Sequence, residues 1–87
     1  NMPLLEFRDG VSGRRAGVRS GPDVWEVELV AREYDHNAER VEEHFGGVVS
    51  KEAIEQAFGY VEKFAETIET QIRENERIEQ LLGGRED

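Results

Sequence analysis

The chain has 87 residues, a formal net charge of −9 and no cysteine. A chain of this length forms one small domain with a marginal core, and such domains often gain stability from a second copy of themselves. The absence of cysteine excludes a disulfide framework and a thiolate metal site. The apolar stretches are too short for a transmembrane helix or a signal peptide. We therefore expect a single cytoplasmic domain, residues 1–87, that is mainly α-helical with a minor β-component.

The charge is unevenly distributed along the chain. The first 22 residues carry four arginines and two acids, a net of +2, whereas the remaining 65 carry 18 acids and seven bases, a net of −11. An acidic surface is repelled by phosphate backbones, so only the N-terminal arm is basic enough to bind DNA. Arg14, Arg15 and Arg19 are therefore candidate DNA contacts. The alternative is that these arginines are solvated or paired with carboxylates of the protein itself.

Residues 1–21 predict two short strands or an arm. Residues 4–8 are apolar and partly alternating, and residues 9–10 (Asp-Gly) are a turn signal. Residues 11–18 are interrupted by glycines and indicate a ragged second strand. An exposed strand edge in this segment invites pairing with another chain.

Residues 22–49 predict two short helices. Ser20 is the expected N-cap of the first, with Pro22 in its first turn. Residues 24–34 fit both an alternating strand and a helical stripe, and the cap favours the helix. Asn37 is a cap for the second helix, and the glycines at 46–47 end it.

Residues 50–82 predict one long helix, followed by a tail at residues 83–87. Ser50 is the cap, Val49 and Ile54 fit a hydrophobic staple, and no proline follows Pro22. The apolar stripe of this helix is longer than one small domain can cover, so we expect a homodimer. The residues expected in the dimer interface are Ile54, Phe58, Val61 and Ile68.

The part of this helix after Ile68 is too polar to be core. We expect it to dock into a groove of a partner through a thin apolar line, and its acidic neighbours suit a small basic protein. The expected anchors are Ile72, Ile78, Leu81 and Leu82. The alternatives are a solvated tail, or packing of this line on the protein's own N-terminal strands or on a dimer mate.

No reaction is indicated by the sequence. His36 and His44 are eight residues apart without a third strong ligand, so two solvent-facing histidines are expected rather than a zinc site. The serines lie beside turn and cap signals, and the carboxylates lie on predicted helix surfaces. We therefore expect no enzyme, no cofactor, no metal and no small-molecule substrate.

Two segments resemble a known family. Residues 14–19 (RRAGVR), followed by residues 22–27 (PDVWEV), and residues 49–58 (VSKEAIEQAF) are similar to the signature segments of the domain of unknown function 433 family. The resemblance covers about residues 4–72, with Arg15 at the family's proline and Val18 at its threonine. It implies a homeodomain-like, trihelical helix-turn-helix core, an outline that the predicted helices also match. Carried over, it places Arg14, Arg19, Lys51 and Gln56 among the DNA-contact candidates.

Some members of that family are VapB-type antitoxins that pair with a ribonuclease toxin. The resemblance therefore implies a bacterial antitoxin-like or regulatory interaction protein, whose partner is a small basic toxin. Two alternatives remain open at this stage. One is a DNA-binding transcriptional regulator that acts alone, and the other is a structural adaptor that only dimerises.

Overall fold

The structure, a computed structural model, describes residues 2–10 and 13–83, with side chains as far as Leu81. Within these residues, two strands precede four helices, which confirms the predicted mainly α-helical class with a minor β-component. The elements are β1 (Leu5–Gly10), β2 (Gly13–Val18), α1 (Val24–Glu33), α2 (Ala38–His44), α3 (Lys51–Lys63) and α4 (Ala65–Gly83).

The two strands form an antiparallel hairpin in which Leu5 lies opposite Val18 and Phe7 opposite Ala16. The prediction of a turn at residues 9–10 is wrong, because both residues still pair with β2. Asp9 lies opposite Arg14, so the connection falls at residues 11–12, outside the described residues. One face of the hairpin packs on the helices, and there Ala16 and Val18 are buried.

Helix α1 settles the ambiguity of residues 24–34 in favour of the helix. Its N-cap is Asp23 rather than the expected Ser20, and the Glu26 side chain accepts a hydrogen bond from the Asp23 backbone N–H at 2.9 Å. Ser20 instead has a left-handed φ of 59°, in a tight turn where Gly21 N–H bonds to Val18 C=O at 2.8 Å. Because this turn occupies the segment between β2 and α1, the helix begins after Asp23 and not after Ser20.

Helices α2 and α3 begin and α2 ends where the local signals predict. Asn37 Oδ1 accepts a hydrogen bond from Arg40 N–H at 3.1 Å, and Ser50 Oγ accepts one from Ala53 N–H at 3.1 Å. Gly46 and Gly47 follow α2 with φ of 65° and 81°, values that glycine adopts without steric cost. The starts of α2 and α3 and the end of α2 therefore depend on residues within a few positions of each boundary.

The single helix predicted over residues 50–82 is two helices. Helix α3 has 13 residues and α4 has 19, and Phe64 between them has φ −127° and ψ 45°. Neither glycine nor proline stands at the break. The break redirects α4 towards α1, which buries Ile68 and Ile72 at 1% and 3% exposure. Burying these two side chains offsets the cost of interrupting the backbone hydrogen bonds of the helix.

The core surrounds α1, which packs against α2, α3, α4 and β2. A stripe of Val24, Val27 and Ala31 on α1 is completely buried. Val49 and Ile54, the predicted staple pair, are also buried, at 1% and 0% exposure. Helices α1, α2 and α3 therefore form a compact unit, and the hairpin and α4 pack against it.

Candidate interaction surfaces

A cluster around Asp23 ties the hairpin to the start of α1. The Asp23 carboxylate accepts hydrogen bonds from Arg15 Nε at 2.8 Å and Trp25 Nε1 at 3.1 Å, and Arg8 Nη1 lies 3.6 Å away. Arg8 and Arg15 are directly opposite each other across the strands, so their like charges need a nearby anion. Asp23, only 8% exposed, supplies it.

Two glycines make room for this pair of arginines. A Cβ on Gly17 would collide with the Arg8 guanidinium, and a Cβ on Gly10 would collide with that of Arg15. The Arg8 guanidinium also donates to the carbonyl oxygens of Val18 at 2.6 Å and Gly21 at 2.8 Å. The glycines that make β2 look ragged in the sequence therefore let two guanidinium groups lie across the strands.

The predicted DNA contacts of the arm lie on this hairpin in different environments. Arg15 is engaged by Asp23, in line with the alternative of pairing with the protein's own acids. Arg14 lies over the Phe7 ring, 5.1 Å from its centroid. Arg19 is well exposed, with 61% of its side chain accessible, and Glu6 lies 3.9 Å from its guanidinium.

The candidate contacts on α3 are both occupied within the chain. Lys51 Nζ lies 3.4 Å from Glu39 on α2, and the Lys51 backbone N–H donates to Glu42 at 3.1 Å. Gln56 Oε1 accepts a hydrogen bond from the backbone N–H of Leu4 at 2.8 Å, which fastens the N-terminal segment to α3. The exposed residues of α3 include Glu52, Glu55 and Glu62. The face predicted to enter DNA is therefore acidic.

The residues expected in a dimer interface divide into two groups. Ile54 and Ile68 are buried in the core of the single chain at 0% and 1% exposure, so they are not accessible to a second copy. The chain covers its own apolar stripe because α4 turns back. Phe58 and Val61 are partly buried and line a recess of about 300 Å³ together with His36.

The distal half of α4 differs from its first half. Ile72, expected as a docking anchor, is buried at 3% exposure and belongs to the core. Ile78 and Leu81 are 49% and 67% exposed. Leu82 lies in α4, but its side chain is outside the described residues. Ile72 is therefore not accessible as an anchor, and the exposed apolar side chains of α4 begin after it.

An open cavity of about 200 Å³ separates the hairpin from α4. Arg14, Arg15 and Trp25 line one side, and Glu74 and Ile78 line the other. Ile78, at the start of the exposed apolar line of α4, thus faces the basic end of the hairpin. Leu81, further along the line, is exposed to solvent. This juxtaposition agrees in part with the alternative in which the line packs near the protein's own strands.

Three aromatic side chains form an exposed group where the hairpin meets the α3–α4 junction. Phe7 is 55% exposed, and its ring centroid lies 6.1 Å from that of Tyr60 in an edge-on arrangement. Phe64, 46% exposed, lies 4.6 Å from Tyr60 between ring centroids. Partial burial raises the pKa of the Tyr60 hydroxyl. We call Phe7, Tyr60 and Phe64 the aromatic shelf; the sequence pattern does not reveal it, because its members come from separate parts of the chain.

A buried acid on α1 is the other feature that the sequence did not reveal. Glu28 is 5% exposed and accepts a hydrogen bond from Arg32 Nε at 2.9 Å. The Nε2 atom of His36 lies 3.1 Å from the same carboxylate, and the His36 ring packs edge-on against Phe58 at 5.5 Å. Arg32 also bonds to Glu69 on α4, which lowers the pKa of that exposed carboxyl. These polar contacts hold α1 to its following turn and to α4.

Both histidines are surface residues, as expected. His36 contacts Glu28, and the His44 ring packs 5.8 Å from Tyr34 between centroids. Across residues 2–10 and 13–83, no group of three or more His, Cys, Asp or Glu side chains is placed to hold a metal ion. The same residues contain no helix with the length and apolar character needed to cross a membrane.

Comparison with protein-family models, with curated proteins and with solved structures finds no match to this chain. The resemblance of residues 14–19, 22–27 and 49–58 to the domain of unknown function 433 family therefore stands as an expectation from the sequence. Any functional assignment rests on the surfaces described above.

Proposed function

We propose that this protein is an antitoxin-like or regulatory interaction protein that binds a small basic protein through the distal half of α4. The observation that carries the proposal is the change in α4 after Ile72, from a half that buries Ile68 and Ile72 to one that presents Ile78 and Leu81 to solvent. Exposed apolar side chains at helical spacing are the usual anchors of a helix that lies in a groove.

The charge of the same segment favours a basic partner. Glu74, Glu76 and Glu79 outnumber Arg73 and Arg77 around the apolar line, and the whole chain carries a net charge of −9. Acidic residues at the rim of an interface accelerate association with a positively charged protein and reject nucleic acid. A ribonuclease toxin, which must bind phosphates, has the complementary charge. This pairing is also what the family resemblance implies.

A role as a stand-alone DNA-binding regulator has weaker support. Lys51, Gln56 and Arg15 are occupied by contacts within the chain, which leaves Arg14 and Arg19 as the cations of the arm that can reach DNA. If DNA binds, replacing Arg14, Arg15 and Arg19 together abolishes binding, and the slope of affinity against salt falls by about one unit for each phosphate that the arm no longer neutralises. DNA affinity that survives the triple change contradicts a role for the arm.

The proposal includes a cytoplasmic location and requires no cofactor, metal, membrane or small-molecule substrate. It also includes no catalytic activity, since the histidine and carboxylate contacts described above connect structural elements. Glu28, for example, joins Arg32 and His36 at one end of α1.

The test is a native pull-down with the full chain, followed by identification and charge measurement of any co-purifying protein. We expect a small basic protein whose binding weakens as salt is raised and is lost in the double variant Ile78→Asp/Leu81→Asp. The matched control is Val48→Ser, because Val48 is an exposed apolar residue, 79% accessible, in the turn between α2 and α3. Equal loss of binding in both variants, or a partner that is acidic, contradicts the proposal.

A further inference from the structure

Among the residues that the structure describes, no strand other than β2 pairs with β1, so its outer edge can accept another strand. The described hairpin has two strands, and the far side of β2 is covered in part, because Val18 N–H bonds to Pro22 C=O at 2.8 Å. On β1 the corresponding cover from residues 2–10 and 13–83 lies at its start, where Leu5 N–H bonds to Met2 C=O at 3.1 Å. Beyond that point Phe7 and Asp9 are exposed. An uncovered strand edge is a template for strand addition.

The ladder determines which backbone groups face this edge. Arg19 N–H bonds to Leu4 C=O at 3.0 Å, so the pair Leu4–Arg19 is a hydrogen-bonded pair of the antiparallel register. Because hydrogen-bonded and non-hydrogen-bonded pairs alternate, the N–H and C=O groups of Phe7 and Asp9 point away from β2. The edge therefore offers the backbone groups of Phe7 and Asp9 to a partner strand.

We propose that a second copy of this chain pairs through β1, with Phe7 opposite Phe7, to give a four-stranded antiparallel sheet across a two-fold axis. In this register the Phe7 residues exchange backbone hydrogen bonds, and Asp9 N–H of each copy reaches Leu5 C=O of the other. The aromatic shelves of the two copies lie on the same face of the sheet and cover each other's exposed rings.

The charge pattern of β1 selects this register. With Phe7 on the axis, Glu6 of one copy lies opposite Arg8 of the other, so no like charges face each other, while the Arg8 guanidinium stays beside Asp23 of its own chain. Pairing centred on Glu6, on Arg8 or on Asp9 places two like charges directly opposite each other, which is unfavourable. Pairing centred on Leu5 needs the Leu5 backbone N–H, which is already bonded to Met2 C=O. Among these registers, the one centred on Phe7 therefore meets neither obstacle and is self-complementary, as an interface between identical chains requires. A peptide of unrelated sequence is not expected to match this pattern of charges.

The proposed interface uses the N-terminal strands, whose exposed edge the sequence also indicated, in place of the α3 residues expected in a dimer interface, and it is separate from the distal half of α4. The sequence pattern favoured pairing through the α3 stripe, but Ile54 and Ile68 are buried within one chain. The β1 edge and the shelf supply the accessible surface instead. The self-association stands whether or not α4 binds a basic partner.

The two associations also respond to salt in opposite ways. Two chains that each carry a charge of −9 repel each other, so added salt strengthens the self-association by screening. Docking of the acidic α4 segment on a basic protein weakens under the same change. A salt series therefore separates failure of one proposal from failure of the other.

The first test is sedimentation equilibrium of the full chain at micromolar concentration. We expect a dimer that tightens with salt and that persists in Ile78→Asp/Leu81→Asp and in Val48→Ser. Asp9→Pro should weaken it by about tenfold or more, because proline removes an N–H that faces the partner and none that faces β2. A weak specific dimer should be detected at concentrations up to about 100 µM. A chain that stays monomeric over this range overturns the proposal. Undiminished dimerisation of Asp9→Pro overturns it as well.

The second test reads the register directly, because the chain has no cysteine of its own. In the proposed register the two Phe7 Cα atoms lie at a separation of about 5.5 Å, within the range of a disulfide. Phe7→Cys should therefore form a covalent dimer under mild oxidation. Asp9→Cys is the matched control, since the two copies of residue 9 are offset by four residues and should not crosslink. Equal crosslinking of the two variants, or preferential crosslinking at residue 9, overturns the register.

Discussion

The Asp23 cluster permits a quantitative test of how the hairpin is attached to the helices. Replacing Asp23 with asparagine keeps the size of the side chain and removes its charge. Arg8 and Arg15 then remain opposite each other across the strands without their common anion. The change acts on two contacts, the attachment of β2 to α1 and the like-charge contact within the hairpin.

The magnitude follows from the geometry. A hydrogen bond to a charged group contributes about 1.5–3 kcal/mol, and Arg15 is about one-third exposed, so we expect Asp23→Asn to lower the free energy of unfolding by about 2 kcal/mol. For a domain of this size that corresponds to a fall in Tm of about 8–16 °C. The matched control is Glu33→Gln, an exposed acid at the end of the same helix, which should change stability by less than about 0.5 kcal/mol.

The assay is thermal and urea unfolding of a double-mutant cycle that combines Asp23→Asn with Arg15→Gln. If the two groups interact as the 2.8 Å contact indicates, the effect of the Arg15 change shrinks in the Asp23→Asn background by about 1 kcal/mol. Strict additivity of the two changes, or a destabilisation by Asp23→Asn no larger than that by Glu33→Gln, contradicts a stabilising contact between Asp23 and Arg15.

Three further outcomes are expected from the packing of the helices. A chain that ends after Asn75 keeps buried Ile72 and should melt close to the full chain, whereas a cut that removes Ile72 should cost about 2–5 kcal/mol in thermal unfolding. The hydrogen bond from Arg32 lowers the pKa of Glu69, so the ionised acid stabilises the fold at pH values above its ordinary pKa of 4.5. This contribution to the free energy of unfolding disappears as the pH falls through the lowered pKa. Glu69→Gln should therefore remove this part of the acid sensitivity when Tm is measured against pH. Ile54→Ala should destabilise the fold by about 2–5 kcal/mol, with the same effect at every protein concentration because Ile54 is core within one chain; a destabilisation that grows on dilution would place it in an interface.

The ends of the central helices were predictable from the sequence because their causes are local. The Asn37 and Ser50 side chains bond to backbone N–H groups three residues ahead, and Gly46 and Gly47 adopt left-handed angles that end α2. Each of these interactions involves residues within a few positions of one another. Their energies therefore do not depend on how the chain folds at long range.

The candidate surfaces were only partly predictable. The basic hairpin and the acidic, apolar end of α4 are visible as composition and spacing. The partner of Arg15 is not, because Asp23 reaches it through the turn at Ser20 that also moves the start of α1. The aromatic shelf is equally hidden, since Phe7 and Phe64 are 57 positions apart in the chain.

The helical class, the caps of α2 and α3, the strand pair and the separation of a basic arm from an acidic remainder follow from the local sequence. The break at Phe64 and the burial of Glu28 depend on tertiary contacts. The break accompanies the packing of Ile68 and Ile72 against α1. Glu28 is covered at the turn after α1, where His36 contacts its carboxylate and packs on Phe58 of α3. Local propensity favours a continuous helix at Phe64, and the apolar area that α4 buries against α1 outweighs it.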